Sequence, residues 1–370
     1  MRIDMLPAGH GDCLVVQCTD DGGTIRLLID GGTTGTAPRL RSFVEANWSA
    51  DDRDFDLAVV THVDADHIGG ALPFFDAPPE GFTARDFWFN GRQHLITERG
   101  AAQGERLGQL LLGRRASGRV PWNAAFRGGP VVVPDEGPLP TVTLGEGGRV
   151  TITLLSPSPA KLARMAPVWD RELGRVRAEE PTPEGAKVDR AGEAIDLSDL
   201  DALAARRSVL DAAPANGSSI AFLLEAAGVR CLFGADGHPD TLAAAIRRLN
   251  AERGVDRLPL DAFKLPHHGS EANVSIELLQ LVDCRRYLVS TNGAYFNHPD
   301  PAAIARVIVA GGEAPEVHFN YHSPRSAMWD DPAHVGGGRH PYTPVYPTEV
   351  AGGLTVQLAA AAVPVGAGRR

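Results

Sequence analysis

Thr61-His-Val-Asp-Ala-Asp-His67 sets two imidazoles and two carboxylates within six residues, His62 to His67, directly behind the run Phe55-Asp-Leu-Ala-Val-Val60. That run is apolar almost throughout, the pattern of a strand buried on both faces. The cluster therefore stands at a strand end, where a loop can aim alternate side chains into one cleft. A catalytic metal requires nitrogen and carboxylate donors converging on one point. Two of each exceed the need of one metal with an open coordination position, and two metals fit better. For this stretch alone, the plainer alternative is a polar loop with two helix-capping aspartates.

Three further strand ends carry the same kind of residue. Ile25-Arg-Leu-Leu-Ile29 stops on Asp30-Gly-Gly32, Val229-Arg-Cys-Leu-Phe233 runs into Gly-Ala-Asp236, and Ala262-Phe-Lys-Leu265 into Pro-His-His268. Asp30 or Asp236 alone is explained equally well by a turn. The His267-His268 pair is a rarer combination, and four such ends are not a coincidence. Around them the pattern alternates strands with helices. Cys13–Cys18 reads as a strand joined to Ile25–Ile29 through the turn Asp20-Asp-Gly-Gly23. Arg39–Trp48, Leu107–Leu112, Asp240–Asn250 and Pro301–Val309 read as helices. Asp86–Phe89, Val150–Leu155, Ser219–Leu224, Tyr287–Ser290 and Gly353–Leu358 read as strands. No internal repeat is present.

Composition bounds the partners. The chain has 370 residues, 43% of them hydrophobic, and a formal net charge of -10. An acidic protein repels nucleic acid on average, so a phosphate-bearing ligand needs a local positive site such as bound metal. The pairs Arg114-Arg115, Arg206-Arg207, Arg247-Arg248 and Arg285-Arg286 are scattered and make no basic stripe. Cys13, Cys18, Cys231 and Cys284 form no metal-binding spacing and are expected as buried apolar residues. Cys13 and Cys18, five apart on one strand, should face opposite sides. No signal peptide or membrane-length apolar run is visible, so no membrane partner and a cytoplasmic location are expected.

The ordered set Gly9-His-Gly-Asp12, Leu28-Ile-Asp-Gly-Gly32, Thr61-His-Val-Asp-Ala-Asp-His-Ile-Gly-Gly70, Asn216-Gly-Ser-Ser-Ile220, Phe233-Gly-Ala-Asp236, Lys264-Leu-Pro-His-His-Gly-Ser270 and Ser290 with Asn297-His298-Pro299 resembles the metallo-β-lactamase superfamily. More narrowly it is similar to the hydrolase domain of the DNA-uptake channel ComEC/Rec2 and to free-standing relatives. The likeness covers roughly residues 1 to 310, with the strand at Gly353 to Leu358 a further candidate. It implies an α/β fold, a four-layer αβ/βα sandwich with the metal site at one edge between two sheets. It also implies two divalent ions, zinc or manganese. His62 and Asp64 would hold one metal, Asp66 and His67 the other, and Asp236 would bridge both. One of His267 and His268 would complete the second site while the other meets substrate. Asp30 and Asp12 would stand behind the ligands, Asp30 orienting a ligand histidine. A hydroxide activated by the two metals would attack the scissile bond, with Asp66 in the catalytic set. Lys264 and His298, with Ser270, would bind phosphoryl oxygens or protonate the leaving group. Asn216 and Asn297 would contact substrate.

The departures are informative. Many relatives carry His-x-His-x-Asp-His, and Asp64 replaces the second histidine here, so the site is harder and manganese becomes as plausible as zinc. The usual third-motif histidine is missing, and where the subfamily carries an Asn-rich turn before a strand this chain has Asn216-Gly-Ser-Ser219, whose Asn216 would approach the first metal or the substrate, the alternative being a plain turn residue. Asp236 follows His67 by 236 − 67 = 169 positions, which implies an insertion. The expected organisation is a hydrolase domain over 1–320 with an insertion around 156–215, its charged part from Arg171 to Arg207 on the surface. A C-terminal extension over 321–370 follows, with a last strand at 353–358 and a flexible tail from Ala359. The expected function is a metal-dependent phosphodiesterase or nuclease, its substrate a nucleic acid or nucleotide. A hydrolase of a small ester, lactone or thioester, and a non-catalytic module binding a protein partner, are the alternatives.

Overall fold

The computed structural model describes residues 1–21, 23–95, 121–171 and 195–360. The expected helix Leu107–Leu112 and the pair Arg114-Arg115 lie outside them, as do residues 172–194 of the expected insertion and 361–370 of the expected tail.

Fourteen strands build two sheets. In chain order they are β1 (Arg2–Met5), β2 (Leu14–Asp20), β3 (Gly23–Ile29), β4 (Leu57–Val59), β5 (Phe87–Trp88), β6 (Thr141–Leu144) and β7 (Val150–Ser156). Then come β8 (Ala221–Ala226), β9 (Val229–Phe233), β10 (Ala262–Lys264), β11 (Arg286–Val289), β12 (Glu316–Phe319), β13 (Thr343–Val345) and β14 (Leu354–Gln357). The first sheet has the order β14-β1-β2-β3-β4-β5 and the second β13-β12-β11-β10-β9-β8-β7-β6. The two-residue hairpin at Asp21 sets Leu14 opposite Ile29 and Asp20 opposite Gly23. From β3 to β5, and from β9 to β13, neighbours run parallel. Asp30, His62, Asp236, His267 and His268 all follow the C-terminal ends of these parallel strands, which is where open α/β sheets gather ligands.

The period of two along each strand builds the layers. Leu14, Val16, Cys18, Leu27, Ile29, Leu57 and Val59 face a core shared with the second sheet. Val15, Leu28, Ala58 and Val60 point the other way, with Cys13, into a core closed by Leu40 and Val44 of the helix Ala37–Asn47. The two cysteines thus lie in different cores. On the far side, the helices Pro239–Arg253 and Pro301–Ala310 bury Leu242, Ile246, Ile304 and Val307 against the second sheet. Pro239 opens the first of these, and Gly254 in the left-handed region closes it. The sum is a four-layer αβ/βα sandwich.

Residues beyond 320 are more deeply built in than an appended extension. β14 pairs antiparallel with β1, Arg2 opposite Gln357, and β13 pairs parallel with β12. Each closes one edge of a sheet. The described part of the expected surface insertion is likewise docked. The helix Leu200–Ala204 buries Leu200 and Leu203, and Arg306 of the helix Pro301–Ala310 donates to the carbonyls of Ala204 and Arg206. The charge of this segment suggested a loose surface, but its carbonyls are what Arg306 needs to be satisfied while buried.

Candidate metal centre

Backbone bonds between strand ends draw the candidate residues together. Asp30 sits in the left-handed region (φ 60), its N–H bonded to the Val59 carbonyl, and Gly31 N–H bonds to the His67 carbonyl. Asp12 N–H reaches the Asp66 carbonyl at 3.2 Å. Gly11 makes that approach possible, since a Cβ there would stand 1.8 Å from the Asp66 carbonyl oxygen. The Asn216–Ile220 loop is tied in by Ile220 N–H to the Thr61 carbonyl at 3.0 Å. Asp64 occupies the N-cap position of the short helix Ala65–Ile68, yet its carboxylate caps nothing. That removes the plain helix-capping explanation for this residue.

The imidazoles are held from behind. Asp30 accepts from Thr61 N–H at 2.7 Å and from Thr61 Oγ1 at 2.9 Å, and its Oδ2 lies 2.8 Å from His67 Nδ1. Because the Thr61 hydroxyl donates to Asp30, it accepts from His62 Nδ1–H at 3.0 Å. His268 Nδ1–H donates to the Ser290 carbonyl at 2.9 Å. All three rings are therefore Nδ1–H tautomers with the Nε2 lone pair turned inward, as metal-ligating histidines are held. His67 Nε2 and His268 Nε2 face one another at 3.2 Å. Asp236 stands among the rings, its oxygens 3.3 Å from His67 Nε2, 3.8 Å from His62 Nε2 and 3.8 Å from His268 Nε2. Asp64 lies 3.5 Å from His62 Nε2, and Asp66 lies 3.1 Å from His268 Nε2. Asp12, His67, Asp236 and His268 offer donor atoms all within 4.8 Å of one another.

Buried polar atoms without partners test whether cations fit. Among the described residues, His62 Nε2, Asp64 Oδ1, Asp236 Oδ1 and Asn216 Oδ1 are buried and accept no hydrogen bond. Each such atom costs about 1–3 kcal/mol when nothing satisfies it. All four are lone-pair donors and none is an N–H, so a cation satisfies them and an anion cannot. The electrostatics agree. Burial opposes charge on His67, but Asp236, Asp30 and Asp66 outweigh it and lift its pKa well above the usual imidazole range. Burial likewise opposes charge on His268, and Asp236 and Asp12 nevertheless raise it to about 9. Burial pushes Asp236 upward, yet His67, His267 and His268 hold it well below the ordinary carboxylate range. The carboxylate cluster demands positive charge, which protonated histidines or a cation can supply.

The remaining candidate residues divide. His268, not His267, is brought to Asp66 and His67. His267 Nε2 lies 3.7 Å from Asp236 Oδ2, and its ring is 5.2 Å from that of His298. His298 is buried, with Nδ1 3.4 Å from Asp300. Asn297 is exposed and left-handed. Lys264 does not face a cleft: it is 1% exposed, bonded to Asp12 Oδ2 at 2.6 Å and to the Leu265 carbonyl at 3.2 Å. Its ammonium is thus paired with Asp12 inside the protein. Ser270 is fully buried and its hydroxyl accepts from Ala272 N–H, a turn contact. Sequence reasoning missed Asp211 and Asn273, which bond to one another beside His267, and His10, whose ring lies 5.2 Å from Tyr295 at the rim. Asp211 sits in an Ala/Pro-rich stretch with no strand end or motif to mark it.

The model of the Metallo-beta-lactamase superfamily matches residues 6–148. Comparison with curated proteins finds no match. Among solved structures the chain is similar to Zn(2+)-bound PqqB from Methylobacterium extorquens, at 14% identity and TM-score 0.41, covering 97% of this chain and 100% of that one. It is similar to the metallo-beta-lactamase fold protein YhfI from Bacillus subtilis at 9% identity and TM-score 0.38, covering 96% and 100%. It is also similar to a variant of the CmlA beta-hydroxylase at 13% identity and TM-score 0.39, covering 96% of this chain but 54% of that one, so it spans about half the CmlA length. No helix among the described residues is long and apolar enough to cross a membrane. The residues that match the superfamily model hold β2 to β5 of the first sheet and the strand ends bearing Asp30 and His62 to His67, and the second sheet brings Asp236 and the histidine pair to the same edge.

Proposed function

We propose that the protein is a hydrolase that uses two divalent cations, zinc or manganese, to cleave phosphodiester bonds. The observation that carries the proposal is the convergence of buried, unpartnered lone pairs on His62, Asp64 and Asp236 beside the facing Nε2 atoms of His67 and His268. His62 and Asp64 would hold one cation and Asp66, His67 and His268 the other, with Asp236 available to both. Cations so held supply Lewis-acid activation of water and of the scissile group. Asp30 and the Ser290 carbonyl keep His67 and His268 in the tautomer that presents Nε2. His298, on the His267 side, offers an N–H to a phosphoryl oxygen or the leaving group.

The substrate class follows from the donors. A carboxylate at position 64 and an amide at 216, where relatives of the superfamily carry histidines, give a hard, oxygen-rich site. Such a site suits an anionic phosphoryl centre better than a β-lactam, and the motif order supports the ComEC/Rec2-like branch. The net charge of -10 favours a small diester or nucleotide over a long duplex.

A direct test loads the protein with manganese or zinc. It compares single-stranded DNA, duplex DNA, RNA, cyclic dinucleotides and a small diester with a lactone and a thioester. Cleavage of a diester, lost in Asp66→Ala/His67→Ala, is the expected result. Turnover of the lactone or thioester alone refutes the phosphodiester assignment, and full activity in the double variant refutes the site.

A further inference from the structure

We infer that Asp211 is a positioning residue that completes the first cation's subsite by fixing the orientation of Asn216 and His267. The inference rests on the two-cation reading of the site. Asp211 is buried, and its Oδ2 accepts from Asn216 Nδ2 at 2.7 Å and from Asn273 Nδ2 at 3.0 Å. An ionised carboxylate only accepts. The groups that reach the Asp211 oxygens, Asn216 Nδ2, Asn273 Nδ2 and Ala213 N–H, are all donors. Each amide must therefore turn its NH2 toward Asp211 and its oxygen away.

Two consequences follow. Asn216 Oδ1 is left buried with no hydrogen-bond partner, in a loop tied through Ile220 to the residue preceding His62. Asn273 Oδ1 faces His267 Nδ1 at 2.9 Å, so that nitrogen carries the proton and Nε2 presents its lone pair toward Asp236 Oδ2 at 3.7 Å. Asp211, with the Asp236 and Gly237 carbonyls that Asn273 Nδ2 also reaches, thus frees the Asn216 carbonyl oxygen and sets His267 Nε2 beside Asp236 Oδ2, the oxygen that His62 Nε2 also approaches at 3.8 Å. There the sequence lacks the histidine that relatives use. Asp211 itself is held in place. Its Oδ1 accepts from Ala213 N–H at 2.9 Å and its N–H donates to the Ala272 carbonyl at 3.2 Å. Arg306 anchors the preceding turn through the Arg206 carbonyl and Ser208 Oγ, at 2.6 and 2.7 Å.

The test is calorimetric titration of the chelator-stripped full chain with manganese chloride, with manganese electron paramagnetic resonance to tell paired from isolated ions. Wild type is expected to take two ions per chain with a spin-coupled signal. Asp211→Ala should keep one site at wild-type affinity and weaken the other by about 10- to 100-fold, the usual effect of removing a group that orients a ligand. Asn216→Ala should weaken the same site, and the double variant should fall less than the product of the two single effects. The retained site shows that the variant is folded. Should Asp211→Ala fail to fold, Asp211→Asn decides: an amide cannot accept at both oxygen positions, so its NH2 must face either Ala213 N–H or the two Asn side chains, and weakening of one site alone is expected. Two sites at wild-type affinity in either variant, or fully multiplicative effects in the double variant, overturn the inference. A wild type that binds fewer than two ions refutes the two-cation reading instead.

Discussion

Replacing Lys264 by methionine isolates a buried lysine–carboxylate ion pair. Lys264 is 1% exposed and Asp12 2%, with Nζ and Oδ2 2.6 Å apart. Methionine keeps the apolar stem and removes the charge. Asp12 then remains as a buried carboxylate that has lost its lysine and keeps only the imidazole of His268, Nδ1 at 3.3 Å. Removing one partner of a buried pair costs about 3–5 kcal/mol, because an uncompensated charge stays in a medium that solvates it poorly. A cost of that size is a substantial part of the roughly 5–15 kcal/mol that holds a domain folded. The assay is urea unfolding of metal-stripped protein at neutral pH, followed by fluorescence of the buried Trp88 and Trp329. Adding Asp12→Asn to Lys264→Met removes the stranded charge while keeping its volume, and should restore more than half of the loss. A single-variant cost below about 1 kcal/mol, or a double variant no more stable than the single one, would refute the reasoning and return Lys264 to the candidates for substrate contact.

Three other outcomes are expected. Gly11→Ala places a methyl where the Asp66 carbonyl already stands; a loss of about 3 kcal/mol in unfolding free energy, the upper range for overpacking, and weakened metal uptake are expected, and wild-type stability would show that the Gly9–Asp12 turn shifts freely. Stripping metal with a chelator should lower the melting temperature and re-addition of manganese or zinc should restore it, since an ion that binds only the native state stabilises by mass action; a melting temperature indifferent to both treatments argues against a metal centre. Burial raises the thiol pKa of all four cysteines, Cys18 to about 12 and Cys13, Cys231 and Cys284 further, so they stay protonated through pH 8–9. A thiol reagent at pH 8 should find none in the native chain and four after unfolding, and a rapidly reacting native thiol would contradict that burial.

The ligand-bearing ends were legible because their chemistry is local. An apolar run that stops on Asp30, on His62 to His67, on Asp236 or on the His267-His268 pair announces both a buried strand and the donors at its end, and the order of those ends carries the family resemblance. Alternation along the second strand likewise placed Cys13 and Cys18 in different cores. What depends on distant partners was not legible. Which of the paired histidines stands by Asp66 follows from Ser290, on another strand, capturing His268 Nδ1. The role of Lys264 is decided by Asp12, 252 positions away. β14 was read as a strand, but that it pairs with β1 and closes the first sheet across the length of the chain was not. Asp211 has no sequence signal at all; it acquires a function only when Asn216, Asn273 and His267 are folded around it, because a hydrogen bond is specified by position in space and not by spacing along the chain.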